Sequence, residues 1–142
     1  MSEKTIKLEI VSPDRLVFSE DAYSIIAPGT EGYLGVLPRH AHLITTLRTG
    51  ELRVRKPAGE RILLAISGGF MNVSPQKVTI LADAAERAEE VDVRRAEAAK
   101  NRALERLRMR SVEIDLERAR AALYRALNRL KVAEKVRVSG GH

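Results

Sequence analysis

Up to Leu81 the chain alternates short apolar runs with turn formers. Ile6-Lys7-Leu8-Glu9-Ile10-Val11 has a period of two, which turns one face of a strand into a core, and Ser12-Pro13-Asp14 ends it. Further runs lie at 16–18, 23–27, 33–37, 43–47, 52–54, 62–66, 70–73 and 78–81. Turn formers separate them: Pro28-Gly29, Gly50, Pro57-Ala58-Gly59, Gly68-Gly69 and Ser74-Pro75-Gln76. Short strands at this spacing predict a two-sheet sandwich or flattened barrel. The glycines of Ser67-Gly68-Gly69-Phe70 predict a tight hairpin or a close backbone crossing, because glycine adopts positive φ without steric penalty.

After Glu90 the pattern changes. Ala, Leu and Arg dominate, with no Gly or Pro until Gly140. Asp92 is a suitable N-cap for a helix to about Met109 with an apolar stripe of Ala96, Ala99, Ala103, Leu104 and Leu107. A break near Arg110-Ser111-Val112 precedes a second helix, striped by Leu116, Ala119, Leu123, Leu127 and Leu130 and ending near Ala133 or Glu134. So short a connection requires the helices to run antiparallel. The predicted architecture is α+β: an N-terminal all-β sandwich of about ten short strands over 1–86, then a C-terminal antiparallel two-helix hairpin over 87–142 with a disordered tail end. An alanine-rich contact buries little area per residue, so such a hairpin is held weakly and can open. The helix starts Val91-Asp92-Val93-Arg94-Arg95-Ala96 and Ile114-Asp115-Leu116-Glu117-Arg118-Ala119 echo one another, which convergence on good helix starts explains.

Charge sharpens the division. Residues 1–90 carry 11 Lys and Arg against 12 Asp and Glu, whereas 91–142 carry 14 against 7, so the net +6 resides on the helices. With a turn near residue 111, Arg125 falls opposite Glu97 and Arg129 opposite Val93, bringing both near Arg95 and Arg102. Such a cluster is either a solvated face with intrahelical ion pairs or an anion site, since guanidinium forks match phosphate oxygens.

Other chemistry is thin. There is no cysteine and no apolar run long enough to span a bilayer, and Met-Ser-Glu-Lys-Thr is not expected to start a signal or transit peptide. Gly29, Gly32 and Gly35 match no nucleotide fingerprint and are expected in turns. His40 and His42 share a face of an extended segment but lack further ligands at metal-binding spacing. Ser67 lacks a nucleophile elbow. No metal and no catalytic residue is expected.

Four segments in order resemble a known family: Glu31-Gly32-Tyr33-Leu34-Gly35-Val36-Leu37-Pro38-Arg39-His40-Ala41, then Ser67-Gly68-Gly69-Phe70, then Val78-Thr79-Ile80-Leu81-Ala82-Asp83-Ala84-Ala85-Glu86-Arg87-Ala88, then the helical hairpin. They resemble the epsilon subunit of bacterial F-type ATP synthase, particularly its ATP-binding, thermophilic Bacillus-like subset. The resemblance implies a non-catalytic subunit, peripheral on the cytoplasmic face of the plasma membrane, without direct membrane insertion. It implies a sandwich that docks on the gamma subunit and touches the c-ring, with Glu31, Tyr33, His40 and His42 among the contact residues. The helices would be a regulatory arm, folded to permit turnover and extended toward the alpha and beta subunits to inhibit ATP hydrolysis. The Ile/Leu-Asp-x-x-Arg-Ala motif of the ATP-binding subset, matched at 91–96 with Val for Ile or Leu, implies adenine recognition by Val91, Asp92, Arg95 and Ala96. It likewise implies phosphate contacts from Arg102, Arg125 and Arg129, with Glu86 on the nucleotide side and ATP as a regulatory ligand rather than a catalytic cofactor. Tyr33 stands where members often carry an acid, Arg39 replaces a common Gly and His42 a common Pro. The alternative reading, a basic nucleic-acid-binding or coiled-coil interaction protein, is disfavoured by 4% aromatics, interrupting acids and fewer than three clean heptads.

Overall fold

The computed structural model describes residues 4–109 and 115–140 and divides into two compact units, Met1–Arg87 and Ala88–His142. The first holds ten strands: β1 (Ile6–Val11), β2 (Leu16–Ala22), β3 (Ser24–Gly29), β4 (Gly32–Val36), β5 (Leu43–Leu47), β6 (Gly50–Arg55), β7 (Arg61–Ile66), β8 (Gly69–Val73), β9 (Lys77–Ala82) and β10 (Ala85–Arg87). Their order is β10-β7-β6-β3-β5-β8-β9-β1-β2, with β4 paired to β3. The pairings are antiparallel except β1 with β9. The alternation seen in β1 is real: Ile6, Leu8 and Ile10 are buried together with Phe18, Ile25, Leu52, Leu64, Ile66, Met71 and Ile80.

Three local expectations change. Pro28 and Gly29 finish β3, where they pair with Tyr33 and Gly32, rather than forming a turn. Gly50 opens β6, and a Cβ there would lie 2.6 Å from Pro28 Cβ, so this glycine serves packing. β10 has no apolar run to announce it; its three residues become a strand because β7 offers a free edge. The Gly68-Gly69 crossing is as expected, with φ of 75° and 126°. Arg39 adopts φ 68°, a left-handed conformation that glycine enters freely.

The two terminal strands of the order, β10 and β2, are bridged by side chains. Glu20 accepts from Lys56 Nζ at 2.6 Å and from Arg87 at 3.3 Å, and the Arg87 guanidinium stands 5.1 Å from the centroid of the Phe18 ring. The hydrogen bond from Lys56 holds the Glu20 carboxyl below the ordinary carboxylate range, reinforced by Arg87 against the opposing effect of burial. Its folded pKa is thus lower than its unfolded one. The stability it contributes is full above the ordinary carboxylate range and is lost as pH falls through the lowered value. Glu20→Gln is expected to flatten that acid-side loss while lowering stability near pH 7 by less than about 1 kcal/mol, since the pairs are partly exposed. Thermal melts across an acid pH series measure the slope; a variant as acid-sensitive as the parent refutes the assignment.

Candidate functional site

The second unit contains a 3₁₀ turn (Ala88–Glu90), α1 (Val93–Met109) and α2 (Leu116–Gly140). Both helices begin alike. Asp92 Oδ1 accepts the Arg95 backbone N–H at 3.0 Å, and Asp115 Oδ1 accepts those of Glu117 and Arg118 at 3.1 and 3.2 Å. Each aspartate satisfies donors left open in a first turn. The expected break at 110–112 lies outside the described residues. α2 runs past the expected end near Ala133 or Glu134 to Gly140, with no proline or glycine to stop it earlier.

The seam between α1 and α2 differs from the expected stripe. Ala96 and Ala103, and on α2 Ala119, Ala126 and Ala133, recur every seven residues and are buried. Leu104, Leu116 and Leu127 remain exposed, at 46, 36 and 43%. Alanine at these levels brings the helices close together, while Leu107, Leu123 and Leu130 of the expected stripes are half-buried.

Over this seam lies a cleft of about 270 Å³, floored by Ala99, Ala103, Ala119, Ala122 and Ala126 and walled by Arg102, Arg106, Arg125 and Arg129. The sequence anticipated three of these arginines but not Arg106. Arg95, expected beside them, does not line the cleft, and neither do Glu97 and Val93, the residues expected opposite Arg125 and Arg129. α1 ends at Met109 and α2 begins at Leu116. Arg102 with Arg106 and Arg125 with Arg129 are i,i+4 pairs of like charge, each destabilising by about 0.2–0.5 kcal/mol. The acids of α1 lie elsewhere: Glu97 pairs with Lys100 at 3.3 Å and Glu105 with Arg108 at 2.6 Å. Among the described residues, no carboxylate lines the cleft. The signal that could have found Arg106 is its i,i+4 spacing from Arg102.

The remaining motif residues have other surroundings. Val91 and Ala96 are buried, Asp92 caps α1 and Arg95 is exposed. Glu86 lies on β10, in the first unit, half-buried and opposite Ala65. Among the tip residues, Glu31 is exposed in the β3–β4 turn, His42 is exposed, and His40 is half-buried with Nδ1 2.7 Å from the Ala41 carbonyl. The two histidines follow a turn and do not sit in a strand. Tyr33 is partly structural: its hydroxyl accepts the Glu51 backbone N–H at 3.3 Å and its ring lies 5.0 Å below Arg48. Among the described residues, no group of three or more His, Asp or Glu stands together as a metal site, and no helix is long and apolar enough to cross a membrane.

The sandwich also presents an apolar row. Phe70 on β8 lies opposite Leu81 on β9, Leu81 opposite Val11 on β1, and Val11 opposite Leu16 on β2. Phe70, Leu81 and Leu16 are 56, 56 and 57% exposed, and Ile44 on β5 stands 73% exposed near the row's end. Scattered exposed leucines need no explanation, but a row across four adjacent strands is the pattern of an interaction surface.

The comparisons specify the class of a chain that joins a sandwich to a pair of basic helices. Residues 5–88 match the ATP synthase delta/epsilon chain beta-sandwich domain, and residues 89–134 match the long alpha-helix domain of the same chain. The chain belongs to the ATP synthase delta/epsilon chain family, a non-catalytic subunit type of the central stalk. It is 60% identical to an ATP synthase epsilon chain of Pelotomaculum thermopropionicum over 107 residues, covering 75% of this chain and 79% of that one. It is 53% identical to one of Moorella thermoacetica over 108 residues, with 75 and 79% covered. Among solved structures, a chain of the Euglena gracilis mitochondrial ATP synthase (OSCP, F1 and c-ring) superposes with a TM-score of 0.75 at 26% identity, covering 86% of this chain and 77% of that one.

Proposed function

We propose that this subunit docks through its sandwich on the gamma subunit and the c-ring, and that its helices form an arm that inhibits ATP hydrolysis when extended and is held folded by ATP. The observation that carries the regulatory reading is the cleft. Four arginines line one cleft over an alanine floor, an arrangement that a polyanion stabilises. The alanine seam supports it from the other side, because a contact this poor in buried area is weak enough for one ligand to decide its state. A ligand confined to the folded form contributes RT ln(1 + [L]/Kd), about 2.7 kcal/mol at a hundredfold excess over Kd.

For the docking half, the Euglena chain's assembly with F1 and a c-ring motivates the partners. The apolar row, with Ile44, is the face assigned to gamma, and Glu31, His40 and His42 at the loop tips are assigned to the c-ring. The complex would sit at the cytoplasmic face of the bacterial membrane, with the basic arm reaching acidic segments of the alpha and beta subunits.

Calorimetric titration with ATP tests the arm. Arg125→Ala and Arg129→Ala are each expected to weaken ATP binding by about 1.5–3 kcal/mol, the worth of a hydrogen bond to a charged group. In reconstituted synthase they should remain inhibited at ATP concentrations that release the parent. Unchanged ATP affinity in both variants would show that the arginines form only a solvated face.

A further inference from the structure

We infer that β10 is a releasable strand latched by Glu20, and that its release moves the junction between the two units from Ala88 back to Ala84. This rests on the proposed arm and sets how far that arm can reach. Arg87 is the last residue of the first unit, so any pull on the helices arrives first at β10. The strand's own ladder offers little against such a pull. It has three residues, all half-buried, and among the described residues its backbone pairs with β7 alone, Ala85 opposite Ile66 and Arg87 opposite Leu64. Three residues is about the shortest strand that globular proteins use. Its apolar anchor is one methyl group, that of Ala85 against the core.

Side chains add what the ladder lacks. Arg87 Nη2 donates to Glu20 Oε2 at 3.3 Å, across 67 residues of sequence, and its guanidinium stands over the ring of Phe18, a core residue only 2% exposed. The other Glu20 oxygen accepts from Lys56 Nζ at 2.6 Å. Lys56 is itself fixed in the β6–β7 turn, where its backbone N–H donates to the Glu60 carbonyl at 2.8 Å. One carboxylate of β2 thus ties the end of β10 to two other segments of the sandwich. The chain just before β10 is fastened differently, by backbone: Asp83 N–H donates to the Gly68 carbonyl at 3.2 Å, and Ser67 N–H to that of Ala84 at 2.9 Å. A ladder frays from its end, and the latch sits on the end residue. When it opens, peeling stops at Ala84 and frees residues 85–87, about 10 Å of extended chain.

The test is amide hydrogen exchange on the full-length chain, read for residues 85–87 and for β7, with Glu9→Gln as the control. Glu9 pairs with Lys77 at 2.9 Å between β1 and β9, so this variant makes the same charge change away from β10. In the parent, 85–87 are expected to exchange at least about tenfold faster than β7 and with a weaker dependence on denaturant, the mark of local opening. Glu20→Gln should speed 85–87 by about three- to fivefold, and Arg87→Ala, which also removes the contact with Phe18, by about tenfold or more. Glu9→Gln should leave them unchanged. In reconstituted synthase the two latch variants should need several-fold more ATP than Glu9→Gln to relieve inhibition, because a longer junction favours the extended arm. Rates for 85–87 that coincide with those of β7 overturn the releasable strand, and Glu20→Gln exchanging no faster than Glu9→Gln overturns the latch. Equal ATP requirements in all three variants overturn the link to the arm's reach. A parent synthase indifferent to ATP overturns the ATP-held arm and leaves the latch standing on its exchange rates.

Discussion

Phe70→Glu is expected to prevent incorporation of this subunit into the synthase while leaving the isolated chain folded. Phe70 is more than half exposed and points away from the core, so the substitution should change the melting of the free chain by no more than about 0.5 kcal/mol. The same position belongs to the face proposed for docking, between Thr46 of β5 and Leu81 of β9. The variant loses the burial of an aromatic side chain, about 1.5–3 kcal/mol, and places an unpaired carboxylate in a desolvated interface, a further several kcal/mol. Together these lower affinity for the partner by about a thousandfold or more. Co-purification with the reconstituted stalk, alongside thermal melts of the free chain, measures both halves. Normal incorporation of Phe70→Glu would remove this face from the interface.

One residue earlier, Gly69→Ala is expected to give the opposite outcome, destroying the fold of the sandwich. Gly69 has φ 126°, which side-chain-bearing residues rarely adopt. A Cβ there would stand 2.2 Å from the Leu81 carbonyl oxygen and 2.8 Å from Ala82 Cα. Both are backbone atoms of the paired strand β9, so relief requires the β8–β9 ladder to move and not a rotamer to turn. The loss should exceed about 4 kcal/mol, a large share of the stability of a small domain. Gly32→Ala supplies the comparison: its φ is 133° with nothing within 4 Å of the added carbon, so only backbone strain of about 1–3 kcal/mol applies. Chemical denaturation of the two variants separates steric exclusion from strain. Similar losses for both would mean that the β8–β9 contact yields easily.

The chain's own pattern determined the division into a strand-rich and a helical part, the burial of Ile6, Leu8 and Ile10, the Asp92 helix start and the tight crossing at Gly68-Gly69, because each depends on spacing within a few residues. It also determined that the positive charge belongs to the helices. Only the tertiary structure decided which arginines meet. Arg106 enters the cleft and Arg95 does not, since that follows from how one helix slides against another. The same holds for the seam: of the leucines at helical spacing, Leu107, Leu123 and Leu130 are half-buried as a core face requires, yet Leu104, Leu116 and Leu127 turn outward where alanine fills the contact. β10 exists because β7 has an edge to fill, which no property of Ala85-Glu86-Arg87 reveals. The apolar row joins residues 11, 16, 70 and 81. Each reads as an ordinary strand residue alone, and only the pairing of distant strands, a long-range contact, makes them one surface.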